Sequence, residues 1–174
     1  MSAPRRILVY GVTGSGKSTL AAEASRRSGI PYIAVDDLTW KPGWVTVPKH
    51  EQREVFAEVC ARDEWILDSA YSAWIDLVEP RVELVVALDY PRWLSFGRLF
   101  RRTLLRLFDG RPICNGNRET LKNFFSRDAI LLWHFRSFDR KRAHIQRMRE
   151  SGMPVLVCRR PSEAKAWLDS LGSP

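Results

Sequence analysis

The sequence predicts an α/β fold in which a parallel five-stranded sheet is flanked by helices. Three observations carry that reading. Short apolar runs of strand length alternate with longer helical patterns along the whole chain. A glycine-rich loop, "GVTGSGKS" (Gly11–Ser18), joins the first strand run to the first helix. Acidic residues stand just after strand runs, at the edge where an open parallel sheet binds its ligands.

The elements follow in order. Ile7–Tyr10 is a continuous apolar run, as a strand covered on both faces requires, and Gly11 ends it. Lys17–Arg27 reads as a helix rich in Ala, without Pro or Gly, stopped by Gly29. Pro31–Val35 is the second strand run, followed by Asp36, Asp37 and a Pro-Gly turn in "TWKPGW" (Thr39–Trp44). A helix over Lys49–Arg62 leads to Trp65–Leu67 and Asp68, and Leu84–Leu88 leads to Asp89. Pro91 opens a helix to Phe108, and the Gly/Pro/Asn-rich stretch Phe108–Asn117 is a long loop. Helical pattern resumes over Glu119–Met148, Gly152 stops it, Val155–Val157 is the fifth strand run, and Pro161–Leu171 is the last helix. With no internal repeat or low-complexity tract, 174 residues suit a single domain spanning 1–174.

The loop is where chemistry first becomes specific. Gly11, Gly16, Lys17 and Ser18 satisfy G-x-x-x-x-G-K-[ST], the nucleotide-binding P-loop. Glycine lets consecutive backbone N–H groups point into one concavity, which binds anions, and the following helix adds the positive end of its dipole. Gly11, Thr13, Gly14, Ser15, Gly16, Lys17, Ser18 and Thr19 are therefore the expected ATP-binding residues. Lys17 would reach the β- and γ-phosphates, and the Ser18 hydroxyl would ligate Mg²⁺.

The formal net charge of +8 is unevenly spread. Residues 92–149 carry 13 Arg and 2 Lys against 4 acidic residues, so this stretch is +11 and the remainder −3. Arg98, Arg102 and Arg106 repeat at i, i+4, i+8 beside Arg101, with Phe96, Leu99, Phe100, Leu104 and Leu107 occupying much of the opposite side. Arg136 and Arg140 repeat the spacing beyond the loop. Two Arg-bearing helices joined by such a loop read as a lid over 91–149 that closes on phosphates, because the planar guanidinium binds phosphate oxygens bidentately. A basic face can also grip nucleic acid, which makes nucleic acid a partner to consider but not the favoured one.

The strand-end acids complete the set. Asp68 would hold Mg²⁺ through water, and Asp36 or Asp37 would orient or deprotonate an acceptor hydroxyl. An Asp in such a place also serves as a plain cap, the reading that suits Asp89 best. Trp40 and Trp44 would wall a pocket or simply pack. His50, His134 and His144 lack metal-ligand spacing, and Cys60, Cys114 and Cys158 lie far apart without a C-x-x-C. That cysteine usage, with no membrane-length apolar run and no signal-peptide pattern at "MSAPRR", points to the cytoplasm. Nothing in the sequence fixes an oligomeric state.

With these residues located, the chain resembles the adenylate-kinase-like P-loop kinases. More closely, it is similar to the bacterial topology modulation proteins within that group. The likeness runs through "GVTGSGKSTLA", "DDLTWKPGW", "WILDSAYS", "VVALDYPRW" and "LLWHFRSFDRKR", and its narrowest block is D-x-x-x-W-x-P-G-W, here Asp36, Trp40, Pro42, Gly43 and Trp44. By that resemblance Asp36 is the aspartate four residues before the first Trp, and Asp68 is the acid of a D-G-N-Y block. Here Ser69 and Ala70 replace Gly and Asn, and Ala73-Trp74 stand where an arginine usually follows the Tyr-Ser pair.

These readings together imply a Mg²⁺- and ATP-dependent kinase that moves the γ-phosphoryl to a nucleotide or another small hydroxyl or phosphate compound. Its expected catalytic residues are Lys17, Asp36, Arg102 and Arg136; Asp36, Trp40, Trp44 and Tyr71 would bind the acceptor; Ser18 and Asp68 would serve the metal. The alternative is an ATP-dependent nucleic-acid-binding regulator. No N-K-x-D guanine motif and no L-S-G-G-Q stretch occurs, which disfavours a signalling GTPase and an ABC-type ATPase.

Overall fold

A computed structural model describes residues 3–109, 115 and 130–172. At its centre β1 (Arg6–Gly11) lies between β5 (Trp65–Leu67) and β6 (Leu84–Leu88), with β2 (Tyr32–Ile33) beyond β5 and β7 (Val155–Cys158) beyond β6. The order is β2-β5-β1-β6-β7 and every pairing is parallel.

Strand side chains alternate between two faces, and the apolar runs show where each half goes. Ile7, Val9, Ile66, Val86 and Leu88 pack with Leu20, Ala21 and Ala24 of α1 (Lys17–Ser28) and with Ala164 and Trp167 of α7 (Pro161–Ser170). Leu8, Tyr10, Trp65, Leu67, Val85 and Ala87 pack on the other face. Their partners include Phe56 of α3 (Lys49–Ala61), Val78 of α4 (Ile75–Val78), and Ile145 and Met148 of α6 (Ile130–Glu150). Both faces of a parallel sheet are thus covered, which is why these strands show no polar alternation. Phe56 stacks on Trp74 with ring centroids 3.6 Å apart, and both are fully buried.

Three local readings are corrected. The second strand run pairs only at Tyr32–Ile33, and the chain then turns into α2 (Val35–Thr39), so Asp36 and Asp37 open a helix rather than end a strand. "TWKPGW" is more than a turn: β3 (Trp40–Lys41) and β4 (Val45–Thr46) form an antiparallel hairpin, with Gly43 and Trp44 at positive φ. On α5 (Arg92–Asp109) the buried stripe is Ser95, Leu99 and Thr103, while Phe100, read as lying opposite the arginine stripe, is exposed. Apart from Phe108, Asp109 and Asn115, the Phe108–Asn117 loop lies outside the described residues, as do Glu119–Ala129, Cys114 and the Arg106 side chain. Among the described residues no helix is long and apolar enough to cross a membrane.

Candidate active site

The parallel sheet brings the carboxyl ends of β1, β2 and β5 to one edge, and the candidate residues assemble there. Gly14 has φ +84, and a Cβ on it would stand 2.4 Å from the Ser95 carbonyl oxygen of α5, so the loop passes where a side chain has no room. Gly16 takes the left-handed conformation at the N-cap of α1 and leaves the loop exposed at that point. Ser15 fixes the curl by donating both its N–H (3.2 Å) and its hydroxyl (2.8 Å) to the Val12 carbonyl. Arg98 Nη1 donates to the Ser15 carbonyl at 3.3 Å. Thr13 is partly buried, while Ser18 and Thr19 are exposed at the start of α1.

Lys17 folds back over the loop, its Nζ donating to the Val12 carbonyl at 3.0 Å. Burial pulls its ammonium down to about 8; the Asp68 and Asp36 carboxylates oppose that shift and the Arg102 guanidinium adds to it. The lysine therefore keeps its proton at neutral pH, and Asp68, Asp36 and Arg102 are all close enough to act on it.

Asp68 is buried, and both its oxygens are engaged. Oδ2 accepts from the Tyr32 hydroxyl at 2.9 Å, and Oδ1 accepts from the Val35 N–H, in the first turn of α2, at 3.1 Å. Asp68 thus holds the start of the helix that presents Asp36. Tyr32 also shares a hydrogen bond with the Ser18 side chain; burial and then Asp68 push its phenol well up, so it stays protonated. Ser18 and Asp68 are therefore neighbours of one hydroxyl. Hard oxygen donors in this number suit Mg²⁺, which binds one or two carboxylates together with phosphates and water. Among the described residues no group of three or more His, Cys, Asp or Glu forms a protein-only cage.

Asp36 and Asp37 separate by geometry. Asp36 Oδ1 accepts from the Tyr71 hydroxyl at 2.6 Å, and the Trp40 side chain is a further hydrogen-bond partner of that hydroxyl. Burial is the main cause that drives the Tyr71 phenol up, and Asp36 adds to it, so Tyr71 donates. Trp44 meets Trp40 edge-on with centroids 6.0 Å apart. Asp36, Trp40, Trp44 and Tyr71 thus form one contiguous group. Asp37 is turned ~100° away around α2, and it is its backbone carbonyl that accepts from Asn115 Nδ2 at 2.7 Å.

The helical region is less uniform than its arginine spacing. Arg102 acts on Lys17, whereas Arg136 is exposed on α6. Asp89 is tied by its Oδ1 to Arg142 Nε at 2.8 Å and joins β6 to α6. The histidines divide: His134 is fully buried and pairs its Nε2 with Ser95 Oγ at 2.9 Å, joining α6 to α5 behind the P-loop. Sequence reasoning missed Tyr32, for which there is no signal, and Lys141, for which there is one. Lys141 falls on the inward stripe of α6 between Phe138 and Ile145, and Lys17 is among the charges acting on it.

The chain matches no protein-family model and no curated relative. Its fold does match solved structures along nearly the whole length. A shikimate kinase from Bacteroides thetaiotaomicron superposes with TM-score 0.58 at 13% identity, covering 97% of each chain. A shikimate kinase from Acinetobacter baumannii in complex with shikimate gives 0.58 at 13% identity, covering 96% of this chain and 90% of that one. A gluconokinase from Sinorhizobium meliloti 1021 gives 0.54 at 18% identity, covering 97% and 93%. The chain has the α/β fold of the small-molecule P-loop kinases.

Proposed function

We propose that the protein is an ATP-dependent phosphotransferase acting on a small hydroxyl-bearing acceptor. The observation that carries this is the convergence of Lys17, Asp68, Asp36 and Arg102 at one sheet edge, with Tyr71 and Trp40 bonded in series to Asp36. Binding of nucleotide alone would not call for a second carboxylate held beside the P-loop lysine.

In this reading the loop N–H groups and Lys17 hold the β- and γ-phosphates. Ser18, and Asp68 through water, would hold Mg²⁺, which supplies neutralisation of phosphate charge. Asp36 accepts the acceptor's hydroxyl proton as the acceptor oxygen bonds to the γ-phosphorus; the bond from that phosphorus to the bridging oxygen breaks, and ADP leaves. Tyr71 fixes the orientation of the carboxylate, while Trp40 and Trp44 wall the acceptor side. Arg102, and Arg136 on the helical region 91–149, offset charge on the phosphoryl group in transfer. The chain works as one kinase-like unit over 1–174. The D-x-x-x-W-x-P-G-W block supports placing it beside the topology modulation proteins within the adenylate-kinase-like group.

A thermal-shift screen tests this, with nucleoside monophosphates, sugars and shikimate-like acids added to protein holding Mg²⁺ and the non-hydrolysable analogue AMP-PNP. A true acceptor at 100 times its Kd stabilises by about 2.7 kcal/mol. Failure of AMP-PNP itself to stabilise the protein would sink the proposal.

A further inference from the structure

Lys141 stands where α6 calls for an apolar residue. Phe138, Ile145 and Met148 are buried on the inward stripe, and Lys141 lies three residues after the first and four before the second. Its Nζ is 4.2 Å from the centroid of the Tyr10 ring. That ring belongs to the face of the sheet that also carries Val35 and Tyr71, the side on which Asp36 is presented.

The surroundings of Lys141 are cationic or neutral. Lys17 from the P-loop side and Arg140 from α6 both act on it. His144, one turn on, is held toward its neutral form by burial first, then by Arg147 and Lys141. The Tyr10 phenol stays protonated because burial drives its titration up. Glu79, the carboxylate near Tyr10, lies 3.5 Å from His144 Nε2. Among the described residues the Lys141 ammonium has no carboxylate and no hydrogen-bond acceptor. Arg142, the next residue, differs: it is paired with Asp89. Burial, with Lys17 and Arg140 adding to it, pulls the Lys141 ammonium down to about 7. A withdrawn cation whose charged neighbours are Lys17 and Arg140, and which is met only by the face of the Tyr10 ring, is costly, and an arriving anion removes that cost.

We propose that Lys141 recognises an anionic group on the acceptor, a carboxylate or a phosphate, so that the substrates are small hydroxylated acids rather than neutral alcohols. This rests on the kinase reading above and names the acceptor class for the same site. Lys17 is committed to the triphosphate; Lys141, over the Tyr10 ring on the sheet face that carries Tyr71, is left for the acceptor.

The test uses full-length protein saturated with Mg²⁺ and AMP-PNP, so that the P-loop is filled. Its lysines carry a ¹³C label, and the Lys141 signal is assigned by its loss in Lys141→Met. Inorganic phosphate, acetate and neutral glycerol are titrated in turn. The proposal requires that phosphate or acetate move the Lys141 signal and raise its titration midpoint, that glycerol do neither, and that Lys141→Met weaken the binding of that anion ~10-fold or more, the worth of one charged hydrogen bond. Lys141→Arg, which keeps the charge, should retain it. The more effective anion tells a phosphate from a carboxylate acceptor. If neither anion moves the signal, the proposal is overturned. It is equally overturned if AMP-PNP binding falls ~10-fold in Lys141→Met, since the lysine then serves ATP. Loss of AMP-PNP binding by the wild-type protein would instead remove the kinase reading, while the anion titration would still report on Lys141.

Discussion

The phosphate side and the acceptor side of the candidate site are built in different ways. Eight consecutive residues, Gly11–Ser18, shape the first, and the Ser15 and Lys17 bonds to the Val12 carbonyl close it on itself. Two segments far apart in the chain assemble the second: Asp36 and Trp40 come from α2 and the hairpin that directly follows it, and Tyr71 from the stretch after β5. Asp68 is the joint between them, because it holds the start of α2 and acts on Lys17. A locally built half should tolerate changes in the other half, and an assembled half should not survive loss of its joints.

The largest effect should come from the local half. Lys17→Ala removes the charge that the proposed function assigns to the phosphates, and such stabilisation is commonly worth ~3–4 kcal/mol of barrier, or 10²–10³ in rate. Folding should not be weakened, since the lysine, at the start of α1, is bonded to one carbonyl and its buried charge opposes folding; chemical denaturation alongside the transfer assay checks both.

Next comes the assembled half. Tyr71→Phe removes the donor that fixes Asp36 and keeps the ring, so transfer should fall ~10-fold, with AMP-PNP affinity by calorimetry held within about twofold. An equal loss of both would show the two halves to be one network.

A smaller effect is set by pH. The Lys17 ammonium, lowered to about 8 in the free protein, is charged below that value and loses its proton above it. Phosphate binding favours the charged form, so AMP-PNP affinity should decline as pH rises through about 8, and the decline should vanish in Lys17→Met. The matching stability change has the opposite direction. Because the folded value lies below the unfolded 10.5, burial of the charge destabilises the fold fully below about 8, and this penalty fades as pH climbs toward 10.5. Lys141, lowered to about 7 by burial, follows the same sign, so Lys141→Met should raise the unfolding temperature at pH 6 and give a smaller gain near pH 10.

The same contrast explains what could be read from the chain. The P-loop was legible because its geometry is a property of adjacent residues, and the sheet was legible because runs such as Ile7–Tyr10 and Leu84–Leu88 declare strands covered on both faces. Pro31–Val35 misled because an apolar run this short suits a strand or the start of a helix equally; Asp68, thirty-three residues away, decides the matter by capping Val35. The choice between Asp36 and Asp37 needed α2, whose turn sends them in different directions. Tyr32 acquires meaning only from partners brought by the sheet, whereas Lys141 stands out in the chain as a lysine on the apolar stripe Phe138, Ile145 and Met148. Trp74, noticed as the residue standing near a missing arginine, fills the core against Phe56, while Arg53 of α3 donates to the Ala73 carbonyl at 2.7 Å.

Asp36→Asn tests the central claim most directly, because it keeps the size of the carboxylate and removes its charge beside the acceptor. The measurement is label transfer from γ-³²P-ATP to a panel of hydroxylated acids, made with wild type, Asp36→Asn and Asp37→Asn at saturating ATP. The account predicts a labelled product with wild type, a loss of ~10²-fold or more in Asp36→Asn, and little change in Asp37→Asn. Transfer that survives in Asp36→Asn, or that collapses in Asp37→Asn instead, would contradict it.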